Sequence, residues 1–329
     1  MTNKKNLFVN VWRTVKSTPY FLYMFIGGRG VGKTYSTLRG VLDDKAYFMY
    51  VRRTETELKN SCKPENNPFT TINENTGRNV EISASGDTFV IHENDEVIGV
   101  AGALSTFGKF RGSDFSKVKY IIFDEFISTN RVKIKDESDA FFNMIETVQR
   151  NRELLGEPSI KIIMLSNANS IDNEIIKTLR LGEIIHQMKI TGVELYTDDE
   201  RGIYLNLLKP GELAKAKSQT KLYKLTKGTD FYDMAIGNEF TGDSFDDVYK
   251  IKYQDLTPIV AYENIYFYSV KNKNLMYCTY RKADVDKFTK DNFTAFKRQY
   301  GLIFDWYITN NKIVYYDYDV KLFVKNMWN

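Results

Sequence analysis

Cysteine and histidine are scarce in this sequence, which has two of each among its 329 residues. The pair Cys62 and Cys278 cannot build a disulfide framework, and so few thiols are typical of a cytosolic protein. His92 and His186 lie far apart in the chain, so we interpret them as surface or core residues and not as metal ligands. A small disulfide-stapled fold is therefore excluded, and the histidines indicate no metal site.

Long apolar runs are also missing, because the longest one covers only residues 21–26. That length is far too short to span a bilayer. The N-terminus has basic residues, but Trp12, Arg13 and Lys16 interrupt the apolar stretch that a signal peptide needs. The net charge of +4 permits a nucleic-acid partner without requiring one. With 43% hydrophobic and 27% charged residues, the composition is that of a globular protein, and we expect no membrane partner.

Four short apolar runs indicate buried strands, at residues 21–26, 46–51, 120–123 and 160–165. Helices are predicted at residues 34–43 and 139–155. Two shorter runs on either side of Asn94-Asp95 indicate a β-hairpin. Because strands alternate with helices, the sequence predicts an open α/β fold with a mostly parallel sheet.

The composition changes after residue 196. Residues 197–230 are polar and rich in lysine, and we interpret them as a small helical linker. Aromatic and β-type runs return from residue 231 onward, and the runs 265–270 and 275–280 predict a β-hairpin. We therefore expect an α/β domain at 1–196, the linker at 197–230 and a second, α+β domain at 231–329.

The segment after the first strand matches the phosphate-binding pattern G-x-x-x-x-G-K-[ST]; it consists of Gly27, Gly28, Arg29, Gly30, Val31, Gly32, Lys33 and Thr34. Glycines let the backbone wrap closely around phosphates, and the following helix N-terminus adds partial positive charge. We expect Lys33 to reach the β- and γ-phosphates of ATP and Thr34 to hold Mg²⁺. The pattern occurs between a buried strand and a helix, where this mechanism requires it.

Asp124 and Glu125 directly follow the buried run at residues 120–123. Alone, two adjacent acids could simply end a strand. Together with a P-loop, Asp124 is expected to bind Mg²⁺ through its water shell, and Glu125 to polarise the attacking water. A glutamate in this place favours hydrolysis of ATP over transfer of its phosphate to a small molecule.

Ser166 and Asn167 follow the fourth buried run in the same way. Ligands of open α/β folds bind at the carboxyl edge of the sheet, so Asn167 could sense the γ-phosphate or the attacking water. A helix cap or a turn explains these residues equally well.

Two arginines lie near the end of the helix predicted at 139–155. Phe141, Ile145 and Val148 form its apolar stripe, and Arg152 lies beside that stripe, where we expect it to pack or pair locally. Arg150 points to roughly the opposite side. It is therefore available to solvent or, as an arginine finger, to a neighbouring active site.

A loop at residues 107–112 combines glycines, aromatic residues and cations, and it includes Arg111. Such a loop could touch a phosphate backbone or a neighbouring active site. A mobile surface loop is an equally good interpretation.

Taken together, these segments resemble the DNA-packaging motor ATPase of phi29-like phages. The resemblance runs through the P-loop, residues 50–53, 122–126, 146–153 and 165–168, and it continues through 228–234 and 238–243. The last two segments look like the family's link between its two domains. The resemblance covers nearly the whole chain and is clearest up to about residue 245.

The resemblance implies an ASCE-type P-loop ATPase that assembles as a ring, of five subunits, at the portal of a procapsid. It implies translocation of double-stranded DNA in the host cytoplasm, and it leaves open whether a packaging RNA mediates docking. It further implies that Arg150 is the trans-acting finger. Arg111 stands where the family has a second trans-acting cation, a lysine, and the two side chains are not equivalent.

The resemblance also implies an RNase H-like nuclease fold for the last domain. An active nuclease of that type needs a convergent cluster of carboxylates to bind two metals. The run at 265–270 offers no acid, and Asp305, Asp317 and Asp319 are scattered. We therefore expect a vestigial nuclease domain that serves in docking or nucleic-acid contact and has no nuclease activity.

Two other functions remain open from the residues alone. One is a P-loop nucleoside or nucleotide kinase, against which stand Glu125 and the lack of an evident arginine-rich lid. The other is a nucleotide switch without catalysis, which would bind ATP tightly and turn it over negligibly.

Overall fold

The computed structural model describes residues 8–85, 88–110, 114–127, 134–167, 170–209, 212–232, 235–236 and 247–328. The strands are β1 Leu22–Gly27, β2 Phe48–Arg52, β3 Val80–Ser85, β4 Thr88–Glu93, β5 Glu96–Ala103, β6 Tyr120–Asp124, β7 Lys161–Asn167, β8 Leu195–Asp198, β9 Ile203–Leu207, β10 Leu256–Tyr262, β11 Ile265–Val270, β12 Met276–Thr279, β13 Lys287–Phe288 and β14 Ile313–Tyr315. The helices are α1 Val11–Ser17, α2 Lys33–Asp43, α3 Glu55–Ser61, α4 Thr70–Thr76, α5 Glu137–Gln149, α6 Glu174–Thr178, α7 Gly182–Thr191, α8 Glu212–Ser218, α9 Lys221–Leu225, α10 Asp230–Tyr232, α11 Phe293–Thr309 and α12 Tyr318–Trp328. The chain divides into two units, Met1–Ile175 with Met188–Gly242 and Ile176–Gln187 with Asp243–Asn329.

The first unit is built on a nine-stranded sheet with the order β3-β4-β5-β2-β6-β7-β1-β9-β8. The strands from β5 to β9 in this order pair in parallel, and the pairs toward both edges are antiparallel. Every residue of β1 is buried, as expected for a strand covered on both faces. The predicted α/β fold with a mostly parallel sheet is confirmed, and so are the four buried runs and the hairpin at Asn94-Asp95.

The strand order determines where the polar strand ends lie. β7 lies between β1 and β6, and its register pairs Asn167 with Gly27 and Leu165 with Asp124. The P-loop, the acidic pair and Asn167 therefore lie side by side at one edge of the sheet. A strand inserted between the P-loop strand and the strand with the acidic pair is the order expected of an ASCE-type ATPase.

Helix α1 was not anticipated from the sequence. It packs on α2 with Val11, Trp12 and Val15 buried. Trp12 lies directly against Gly40 of α2, because a Cβ built on that glycine would be 2.0 Å from Trp12 Cγ. This helix pair therefore requires a residue without a side chain at position 40.

The domain boundary predicted at residue 197 is wrong. Strands β8 and β9 belong to the main sheet, where β9 pairs in parallel with β1. Ile203 and Leu205 are buried in β9; the polar residues around this short run concealed it in the composition. Helices α8 and α9 fit the predicted helical segment, but the second unit starts at Asp243 and not at residue 231, and it also includes Ile176–Gln187.

The second unit contains a five-stranded sheet with the order β13-β10-β11-β12-β14. β10, β11 and β12 are antiparallel, and β13 and β14 add in parallel at the edges, which confirms the predicted hairpin of β11 and β12. Phe267 of β11 packs against Phe296 and Phe304 of α11 in an aromatic core. The unit is α+β, as predicted; its likeness to an RNase H-like nuclease stays a prediction.

The three acids that the sequence analysis named in this unit accept hydrogen bonds from groups within the same unit. Asp305 accepts one from Trp328 Nε1 at 2.8 Å, and Asp317 accepts one from a backbone N–H at the start of α12. Asp319 accepts from backbone N–H groups at the start of α7, and burial, with the charge of Asp317, raises the pKa of Asp319 to about 6. Within the described ranges, no three His, Cys, Asp or Glu side chains could hold a metal together, and no described helix is long and apolar enough to cross a membrane. The expected lack of nuclease activity stays a prediction.

Candidate nucleotide-binding site

The P-loop turns from β1 into α2 through two glycines with left-handed backbone. Gly30 has φ +70° and Gly32 has φ +97°, conformations that residues with a Cβ rarely adopt. Helix α2 begins at Lys33, and no side chain caps its N-terminus. Its first N–H groups therefore remain available to a ligand, at the positive end of the helix dipole. A phosphate group fits this position.

Lys33 is buried against the loop to which it belongs. Its Nζ donates to the carbonyl oxygens of Gly27 at 2.9 Å and Gly28 at 2.8 Å, and it donates to Asn167 Oδ1 at 3.3 Å. Burial lowers the pKa of Lys33 to about 8, although the nearby charge of Asp124 opposes the shift. The structure thus brings the predicted residues Lys33 and Asn167 together at one loop.

Asp124 is buried beside the P-loop, and only 6% of it is exposed. Thr34 Oγ1 donates to its Oδ1 at 2.9 Å, and Tyr50 Oη donates to its Oδ2 at 3.1 Å. Burial raises the pKa of Asp124, and the charge of Arg52 opposes that shift. Mg²⁺ prefers oxygen ligands such as hydroxyl and carboxylate groups, so the predicted pair Thr34 and Asp124 fits this ion.

Glu125 follows with a left-handed backbone, at φ 54°. Its side chain is 44% exposed, and its Oε2 accepts a hydrogen bond from Arg52 Nη2 at 2.6 Å. Arg52 Nη1 also lies 3.5 Å from Asp124 Oδ2. One partly buried arginine therefore contacts both acids of the predicted pair.

Arg52 and Tyr50 were not among the predicted site residues. β2 and β6 pair in parallel with Tyr50 opposite Ile122. Two residues further along, and on the same face, this register places Arg52 beside Asp124. An arginine at the end of a buried apolar run was the available signal, but it points to this site only when the neighbouring strand is known.

An open cavity of about 1170 Å³ adjoins the P-loop. Among the predicted residues its lining includes Arg29, Gly30, Gly32, Lys33, Thr34, Asp124, Glu125 and Asn167. Ser166 also lines it, and the buried hydroxyl of Ser166 has no hydrogen-bond partner among the described residues. An unpaired buried hydroxyl in a cavity is costly unless a ligand or water satisfies it, so a polar ligand fits here.

Arg150 does not line this cavity. The predicted helix was too long: α5 ends at Gln149, and Arg150 follows with φ 47°. This turn, and not helical spacing, therefore sets the orientation of its exposed side chain. Arg150 Nε donates a hydrogen bond to the carbonyl oxygen of Thr147 at 3.3 Å. Arg152 is buried and donates to three backbone carbonyls at residues 115, 116 and 118, which confirms its predicted local pairing. Arg111 lies outside the described residues.

Comparison with known proteins finds similarity to phage DNA packaging proteins. The profile of the podovirus DNA encapsidation protein (Gp16) matches residues 3–316. The DNA packaging protein of Bacillus phage B103 is 30% identical over 229 residues, which cover 68% of this chain and 65% of that protein. The DNA packaging protein of Bacillus phage PZA is 28% identical over 246 residues, covering 73% of this chain and 68% of that protein. The alignment thus spans slightly less than two thirds of the B103 protein's length.

A solved structure shares the fold over nearly the whole chain. It is the viral genome packaging motor assembly of bacteriophage phi29, with a TM-score of 0.67, 21% identity, and coverage of 98% of this chain and 99% of that chain. At that identity the likeness shows the fold alone, whereas the profile match extends over most of the sequence. The chain therefore belongs to the podovirus DNA encapsidation protein (Gp16) family.

Proposed function

We propose that this protein hydrolyses ATP at the P-loop and couples hydrolysis to the translocation of double-stranded viral DNA into a procapsid. The observation that carries the catalytic part is the contact of Thr34 with buried Asp124, with Glu125 next in the chain. The relatives from phages B103 and PZA are named DNA packaging proteins, which supports the DNA part.

Each residue of the site has a defined role in this proposal. Bound ATP with Mg²⁺ supplies the phosphoryl group that is transferred to water. Lys33 would exchange its loop carbonyls for phosphate oxygens, and Thr34 and Asp124 would hold the ion. Glu125 orients and polarises the attacking water once its carboxylate leaves Arg52, and Asn167 senses the γ-phosphate. The N–H groups of residues 27–32 cradle the remaining phosphates.

Arg150 completes the site of a neighbouring subunit in a ring, which we propose has five members. Its side chain is exposed and does not line its own cavity, which supports a role in trans. Leu154 and Leu155 follow close behind and are 86% and 72% exposed, an apolar surface that a second copy would cover. Arg111 is proposed as the second trans-acting cation. Such a finger can contribute about 10³–10⁵ in rate.

The second unit is proposed to be a vestigial RNase H-like domain without nuclease activity. It would dock the ring on the portal, directly or through a packaging RNA, or contact DNA, on procapsids in the host cytoplasm. The α+β fold of this unit, with its five-stranded sheet, supports the assignment, with the boundaries corrected above.

The test is phosphate release by the full chain, with and without double-stranded DNA and empty procapsids. We expect DNA and procapsids together to stimulate release. Glu125→Gln is expected to keep ATP binding but to lower turnover by about 10²–10⁴-fold, the size of a general acid–base contribution. Lys33→Ala is expected to lose binding, and Glu65→Gln, at an exposed acid that does not line the cavity, is the matched control. Phosphorylated nucleoside in place of free phosphate, or tight binding with no turnover even on DNA and procapsids, would contradict the proposal.

A further inference from the structure

A second lysine reaches the P-loop from a distant part of the sequence. Lys217 of α8 donates from its Nζ to the carbonyl oxygen of Arg29, 188 residues away. The same Nζ lies 2.8 Å from the position of a Cβ built on Gly30. The ammonium group of α8 therefore packs directly against the middle of the phosphate-binding loop.

The surroundings of Lys217 are those of a cation that lacks a counter-charge. No carboxylate of the described residues forms an ion pair with it, whereas Lys215 on the same helix pairs with Glu212 at 2.7 Å. Burial lowers the pKa of Lys217. Two ammonium groups that approach one loop repel each other, and a polyanion bound there would relieve that repulsion.

Lys217 and Lys33 make the same kind of contact. Lys33 holds the carbonyl oxygens of Gly27 and Gly28, and Lys217 holds that of Arg29. An ammonium group has three donors, and a single carbonyl uses only one of them. Lysine acts as a compact point charge toward phosphates, so the two remaining donors of Lys217 suit phosphate oxygens.

We propose that Lys217 is a binding residue for the phosphate chain of the nucleotide, supplied by α8. This rests on the proposed function of the P-loop and adds a cation to it that the loop pattern does not contain. Because Lys217 belongs to α8, occupancy of the loop by phosphates changes the contact between the loop and this helix.

The test compares Lys217→Met, which keeps the length of the side chain, with Lys217→Arg, which keeps its charge. Lys215→Ala on the same helix is the matched control. Calorimetric titration of the full chain measures the Kd for Mg²⁺ with β,γ-imido-ATP and, separately, with inorganic tripolyphosphate. Lys217→Met is expected to weaken both ligands by about tenfold, the size of one charge-assisted hydrogen bond. Lys217→Arg is expected to stay within about threefold of the unchanged protein.

Several results would overturn the assignment. One is a wild-type Kd in Lys217→Met. A second is an equal loss in the Met and Arg variants, which would assign the effect to shape and not to charge. A third is a loss for β,γ-imido-ATP without a loss for tripolyphosphate, because the contact would then not be with phosphates. Lys33→Ala separates the two proposals: if it binds both ligands normally, the P-loop function itself fails, whatever Lys217 does.

Discussion

The two ion pairs of Arg52, with Asp124 and with Glu125, are predicted to differ sharply in coupling energy. Arg52 lies closer to Glu125, at 2.6 Å, than to Asp124, at 3.5 Å. The Asp124 side chain is only 9% exposed, however, whereas that of Glu125 is 44% exposed. If burial and not distance determines the energy, Arg52 stabilises the fold mainly through Asp124.

The magnitudes follow from the environment of each pair. At an effective dielectric constant of about 20, two unit charges 3.5 Å apart attract by about 4–5 kcal/mol, and removing one partner of a buried pair costs about 3–5 kcal/mol. A pair with a half-exposed partner contributes about 0–1 kcal/mol. We therefore expect Arg52→Gln to lower the free energy of unfolding by about 3 kcal/mol. The coupling energy is expected to be about 3 kcal/mol with Asp124→Asn and below about 1 kcal/mol with Glu125→Gln.

The assay is a pair of double-mutant cycles read by denaturant unfolding of the full chain. Trp12 is buried in the first unit, whereas Trp306 and Trp328 lie in the second. Replacing Trp306 and Trp328 by Phe in every arm leaves Trp12 as the only tryptophan, so its fluorescence reports the first unit. A coupling energy with Glu125 as large as or larger than that with Asp124 would refute the reasoning, since distance would then outweigh burial.

Two further predictions concern stability. Gly40→Ala is expected to lower the free energy of unfolding by about 1–3 kcal/mol or more, because the new Cβ would overlap Trp12. Gly301→Ala is expected to raise it by about 0.5–1 kcal/mol through helix propensity, because its Cβ meets no atom within 4 Å. Similar effects of the two substitutions in denaturant melts would contradict this. The folded pKa of Asp319 lies above its unfolded value, so its charged form opposes folding and the loss of stability grows as the pH rises from about 4 to about 6. Asp319→Asn is therefore expected to stabilise the protein by about 1 kcal/mol at pH 7, after allowance for partial exposure, and to have little effect near pH 4. A gain in stability that does not depend on pH would be inconsistent with this account.

Much of the site could be predicted because it consists of chain segments with strong local patterns. The P-loop, the Asp124-Glu125 pair and Asn167 each follow a buried apolar run, and the carboxyl ends of parallel strands meet at one edge of a sheet. The contacts of Thr34 with Asp124 and of Lys33 with Asn167 confirm that these segments converge.

The rest depends on contacts that no local pattern encodes. Arg52 reaches Asp124 because β2 is the neighbour of β6, and a single sequence does not reveal strand order. Lys217 meets the P-loop across 188 residues. The direction of Arg150 depends on a turn with positive φ that ends α5 at Gln149, earlier than the helix end predicted at residue 155. Strand β9 is a short buried run among polar residues, which composition assigned to a linker.

The most direct test of the central claim is phosphate release from a mixture of two inactive variants, measured on DNA with procapsids. Lys33→Ala lacks the loop lysine, and Arg150→Ala lacks the proposed finger, so each alone is expected to be inactive. In a randomly mixed ring, a site with an intact lysine and an intact neighbouring arginine arises at about one position in four, and part of the activity should return. Full turnover by Arg150→Ala alone, or no recovery in mixed rings, would contradict a site shared between subunits.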